Sequence, residues 1–89
     1  MTQEANAING DIYRRALRRL LRRARLAAGL KQADVARQLG LPQSFVSKYE
    51  SGQRKLDLIE LRAVCVVLGT GLPALLAALD AEAARGQPE

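Results

Sequence analysis

The sequence predicts an all-α domain of five helices, and three observations predict it. Apolar residues recur at helical spacing through most of positions 12–84, glycines fall where each pattern stops, and nothing alternates with the period of two that a strand needs. The chain has 89 residues, so one core is all it can bury. Aromatic residues are only 3% of the composition, which leaves Leu, Val, Ile and Ala to build that core. A core this small is a common reason for a chain to associate with a second copy.

The first helix is read from Ile12 to Ala28. A step of about 100° per residue puts Ala16, Leu17, Leu20, Leu21 and Ala24 on one half, while Arg14, Arg15, Arg18, Arg19, Arg22 and Arg25 fall on the other. Asn9 or Asp11 is placed to cap its start, and Gly29 to end it. The second helix runs from Gln32 to Leu39 and stops at Gly40. Pro42 opens the third, because its fixed φ and missing N–H suit a first turn, and Gly52 closes it. Asp57 and Glu60 form a D-x-x-E capping box ahead of Leu58, Leu61, Val64, Cys65 and Leu68, the fourth helix. The fifth carries Leu72, Leu75, Leu76 and Leu79 among alanines and is expected to reach Ala84. The domain is therefore expected over 11–84, with short tails at 1–10 and 85–89.

Composition also excludes. There is no His and the one cysteine is Cys65, so a zinc finger, a disulfide framework and a His-activated nucleophile all lack their residues. Neither a metal nor a cofactor is expected, nor is enzymatic activity. No apolar run exceeds the length of Ala63 to Leu68, far below the roughly 20 residues that span a bilayer, and Met1 to Gly10 has no signal-peptide pattern. The expected compartment is the cytoplasm, with no membrane partner. The net charge is +5, but residues 12–55 carry +10 while both flanks are acidic. A concentrated basic segment followed by an Ala/Leu-rich one implies a part that binds an anion and a part that packs.

Within the basic segment, Ala36, Gly40 and Val46 have the spacing of two short helices crossing closely. The small Ala36 allows the approach, Gly40 supplies a turn position at positive φ, and Val46 points back into the core. Gln43, Ser44, Ser47 and Lys48 are left facing outward together, a short polar face suited to base edges.

Gln32, Ala36, Gly40, Gln43, Val46, Ser47, Glu50 and Gly52 together make Gly29–Gly69 resemble the Cro/repressor-type (XRE) helix-turn-helix domain of lambdoid phage repressors and many small bacterial regulators. The resemblance implies a five-helix, lambda-repressor-like DNA-binding domain, with 32–39 as positioning helix and 43–51 as recognition helix. It implies that Gln32 bonds a phosphate and braces Gln43, and that Gln43 reads adenine through a bidentate amide contact. Ser44, Ser47 and Lys48 join it on the bases, with Lys48 favouring guanine. Arg54 and Lys55 are implied contacts to the backbone, which position the protein without reading sequence. Phe45 is implied to lie against the backbone or touch a thymine methyl, and Lys31, where the pattern has a polar cap, is available to a phosphate. Arg25 and Glu50 are implied to form a partly buried, structural ion pair.

The chain departs from the pattern in three places. Lys31 stands where a Thr, Ser or Asn cap is usual, Leu56 replaces a frequent proline, and the first helix starts about two turns early. That extension carries Arg14, Arg15, Arg18 and Arg19, and few acids lie near them in sequence. Ile59, Val66 and Val67 fall where related domains show polar surface, and Leu26 interrupts the arginine face. Such residues predict a homodimer through the fifth helix and nearby apolar surface, comprising Ile59, Val66, Leu75 and Leu79.

The function expected from these readings is sequence-specific binding of double-stranded DNA by a transcriptional repressor, as a homodimer on an inverted-repeat operator. One alternative is a DNA-binding antitoxin, although only Arg85–Glu89 remains as the tail to cover a toxin. The other is a module whose arginine-rich helix meets an unidentified protein partner.

Overall fold

A computed structural model describes residues 10–86 and shows five helices: α1 Gly10–Ala27, α2 Gln32–Leu39, α3 Gln43–Ser51, α4 Leu58–Leu68 and α5 Leu72–Gly86. No strand occurs among the described residues, and no single helix is long and apolar enough to cross a membrane. Two boundaries differ from the sequence reading. Because α1 already includes Gly10, Asp11 lies inside its first turn; the Asn9 cap and the rest of the expected N-terminal tail fall outside the described residues. At the other end α5 continues two residues past Ala84, so Arg85 is helical and only 87–89 of the expected tail lie outside.

Helix starts follow local chemistry. Asp57 Oδ1 accepts the Glu60 N–H at 2.7 Å while the Asp57 N–H donates to Glu60 Oε1 at 3.0 Å, so the box predicted for α4 closes in both directions. At α2 an ammonium group cannot accept a hydrogen bond, and Lys31 does not cap through its side chain. Asp34 supplies half of the arrangement instead, taking the Lys31 backbone N–H at 2.8 Å. That bond, with a second from Arg37, holds the Asp34 carboxyl below its usual range.

The core is aliphatic. Leu21 of α1, Val35 of α2, Val46 of α3 and Val64 and Cys65 of α4 are fully buried, with Leu68 and Leu75 closing the far side. Burial pushes the Cys65 thiol up, in keeping with a packing role. Two expectations are corrected here. Leu75 is 5% exposed and belongs to the monomer core, so it is not part of a dimer surface. Val67 packs against the same core; of the residues expected at the dimer surface, Ile59 at 73% and Val66 at 68% are well exposed, and on α5 Leu76 is exposed in the place given to Leu75.

The first and last helices are joined by charge as well as by packing. Glu82 of α5 is buried, and its carboxylate accepts from Arg19 Nε at 2.9 Å, from Arg23 Nη2 at 3.4 Å and from Arg85 Nη2 at 2.6 Å. The arginine face thus has a counter-charge that proximity in sequence did not show. Hydrogen bonds from Arg85, Arg19 and Arg23 hold the Glu82 carboxyl down to about 2, against an ordinary 4.5. A carboxyl whose pKa is lower folded than unfolded stabilises the fold above the unfolded value, and this contribution drains away as pH falls from 4.5 toward 2. Urea unfolding across that window is therefore expected to show a steep loss of stability in the parent and a flatter one in Glu82→Gln, which is also weaker at neutral pH. Asp34 keeps some slope in both proteins. Equal slopes would mean that the clasp does not titrate there.

Candidate nucleic-acid interface

The helix-turn-helix forms as its residues require. Ala36 is 2% exposed at the crossing of α2 and α3, and Val46 returns to the core at 0%. Gly40 sits at φ 71°, and the Leu41 N–H donates to Ala36 O at 2.9 Å, ending α2 in a left-handed turn that a side chain would strain.

On α3 the two faces separate cleanly. Val46 and Tyr49 point inward, while Gln43, Ser44 and Lys48 are exposed and Ser47 is half-buried, its Oγ donating to Ser44 O at 3.2 Å. Burial pushes the Tyr49 hydroxyl up to about 12, and Phe45 packs edge-on against its ring at 5.7 Å.

A relay of side chains runs from α1 to the tip of α3. Arg25 Nε and Nη2 donate to the two oxygens of Glu50 at 2.7 and 3.0 Å, with the two side chains only 8% and 5% exposed. Arg25 also donates from Nη1 to Leu30 O at 3.0 Å, and the Glu50 contact raises its pKa further. Glu50 Oε1 then accepts from Gln32 Nε2 at 3.0 Å, and Gln32 Oε1 accepts from Gln43 Nε2 at 3.5 Å. Both glutamines are thereby oriented before any ligand arrives. Gln43 uses one amide hydrogen on Gln32 and keeps its Oε1 and the other hydrogen for an outside partner.

The remaining residues singled out in the sequence differ in how free they are. Lys31 and Lys55 are exposed, and Gln32 is half-buried, bonded to Glu50 on one side and Gln43 on the other. Phe45 is half-buried, with the Arg54 guanidinium 4.8 Å over its ring. Arg54 is committed further, because it pairs with Glu60 of the α4 capping box. Its contact with an outside anion therefore competes with an internal one. The sequence reading missed Glu82 and the division it imposes on the arginines of α1. Arg19 and Arg23, spaced i,i+4 like the Arg19–Arg15 pair, gave no sign of which row would be neutralised.

Comparison with known proteins adds a frame. Residues 16–79 match the family model described as a helix-turn-helix domain. The chain is similar to the solved structure of an XRE-family like protein from Pseudomonas syringae pv. tomato str. DC3000, at 46% identity over 88% of this chain and 94% of that one, with a TM-score of 0.78. No curated protein matches.

Proposed function

This chain belongs to the XRE family of helix-turn-helix DNA-binding regulators, and from that premise we propose that it is a cytoplasmic, sequence-specific repressor that occupies an inverted-repeat operator as a homodimer. The observation that carries the reading is the relay Arg25–Glu50–Gln32–Gln43, which fixes an exposed amide at the start of a short polar helix. A glutamine held this way can donate to N7 and accept from N6 of adenine in the major groove. Ser44, Ser47 and Lys48 extend the same face, and Lys31, Gln32, Phe45, Arg54 and Lys55 surround it as contacts to the backbone. Because backbone contacts carry no sequence information, base choice rests on the four residues of α3.

A dimer is supported by apolar surface that the monomer leaves outside. Ile59 and Val66 lie two turns apart on one face of α4, Leu76 is exposed on α5, and Leu79 is half-buried beside it. Two copies related by a twofold axis would present two α3 helices about one turn of DNA apart, which is what an inverted repeat requires.

Selection of bound duplexes from a random pool, at two salt concentrations and with the oligomeric state measured alongside, tests the reading. An enriched inverted repeat bound by a dimer is expected; enrichment of nothing would sink it. On the selected duplex, Gln43→Ala is expected to lose about 1–3 kcal/mol of discrimination at one base position per half-site. Lys55→Ala is expected to weaken binding to every sequence and to reduce the salt slope by about 1. Lys55 is the cleaner probe of the backbone because Arg54 also supports α4. Equal losses by both variants on all DNA would refute this division of labour.

A further inference from the structure

The seven arginines of α1 divide into two sets. Arg19 and Arg23 bind Glu82, and Arg25 binds Glu50. Arg14, Arg15, Arg18 and Arg22 have no carboxylate partner among the described residues. Like charges one turn apart on a helix repel by a few tenths of a kcal/mol per pair. The second set therefore carries a standing cost that an anion would relieve.

One of these four, Arg18, reaches the end of the recognition helix, and Arg14 lines the same cleft. Arg14 and Arg18, one turn apart, wall a cleft of about 290 Å³ whose opposite side is Arg54 and Lys55, with Leu17 and Leu56 among its apolar lining. Arg18 lies against Gly52, the residue that ends α3. A Cβ at that position would stand 3.1 Å from the guanidinium carbon. The cleft is thus continuous with the loop that follows the base-reading helix, and it is cationic on both sides.

We propose that α1 is part of the DNA interface, with Arg14 and Arg18 on one side of this cleft and Lys55 on the other holding backbone phosphates of the operator while α3 lies in the groove. The proposal rests on the DNA-binding reading above and adds a surface to it. A phosphodiester fits better than an acidic protein side chain because the cleft abuts the end of α3, so a strand bordering the groove that α3 occupies passes its mouth. It accounts for the early start of α1, whose added turns carry Arg14 and Arg18.

The test compares the full chain with Arg14→Ala/Arg18→Ala on the selected duplex, with affinity measured against salt concentration. Each phosphate neutralised on B-DNA contributes about 0.9 to the slope of log K against log salt. The double variant is expected to lower the magnitude of that slope by about 2 without changing the selected sequence. It should also erase interference from ethylation at the phosphates concerned, while Arg14→Lys/Arg18→Lys keeps the parental slope. Arg14→Ala alone lowers it by about 1, and since Arg14 is exposed and unpaired among the described residues this variant folds as the parent does. An unchanged slope and interference pattern in a double variant of parental helicity overturns the proposal. So does a cleft that serves a free anion, shown by inorganic phosphate raising the melting temperature of the parent but not of the double variant while the DNA slope is unaffected. If the parent binds no duplex, the functional reading fails first and this proposal fails with it.

Discussion

Glu50→Ala is expected to cost about 3–5 kcal/mol, the range for breaking a buried ion pair by removing one partner. The Arg25 and Glu50 side chains are 8% and 5% exposed, so water screens the pair little, and the variant would strand the Arg25 guanidinium in the interior with only Leu30 O at 3.0 Å to hold it. Total stabilities of about 5–15 kcal/mol are usual, and a domain of this size sits toward the lower end. Urea unfolding is the measurement, with helicity followed by circular dichroism. DNA binding should disappear together with the fold, and Gln32 and Gln43 should lose the support that orients them. Glu50→Ala that keeps parental stability yet fails to bind DNA would show that Glu50 acts on the ligand and not on the fold. Gln43→Ala is the contrasting case: the exposed amide can be removed with little change in stability, so its loss is confined to base choice.

Leu21→Ala should destabilise by about 2–5 kcal/mol, because a buried leucine cut back to a methyl leaves a cavity that its neighbours only partly fill. Leu21 is 1% exposed and belongs to the buried core cluster with Val35, Val46 and Val64. Leu26→Ala, five positions along the same helix, removes the same atoms from a side chain that is 55% exposed, and should change stability by less than about 0.5 kcal/mol. Similar losses at both positions would mean that α1 is rotated from the orientation described.

Much of this architecture is legible in the amino-acid order, for physical reasons that can be named. The three helix stops read from glycine at 29, 40 and 52 carry positive φ, between 71° and 88°, as does Gly69 after α4, and only glycine takes that conformation without strain. The Asp57–Glu60 box and the alternation of polar and apolar residues on α3 are local signals, fixed within one turn of helix. The Arg25–Glu50 pair joins residues far apart in sequence and came from resemblance, not from spacing. Misreadings gather on α5. Alanine fills the positions between its leucines, so the contrast between its faces is shallow, and a rotation of one residue decides whether Leu75 or Leu76 is inside. Glu82 escaped for a different reason. A carboxylate and the arginines it neutralises lie 63 and 59 residues apart, and no periodicity within either helix encodes that pairing.

The clasp between α1 and α5 bears on the order in which the domain assembles. Contacts inside the helix-turn-helix close short loops, Gln32 reaching Glu50 across 18 residues, whereas Arg19 meets Glu82 across 63. Loop-closure entropy favours the short loops first, so the DNA-reading unit can organise early and the terminal helix docks onto it afterwards. Interactions made after the folding barrier leave the rate of folding nearly untouched and govern the rate of unfolding. The Glu82 clasp would then act as a latch on the finished molecule, setting how long each native copy survives and not how quickly it forms.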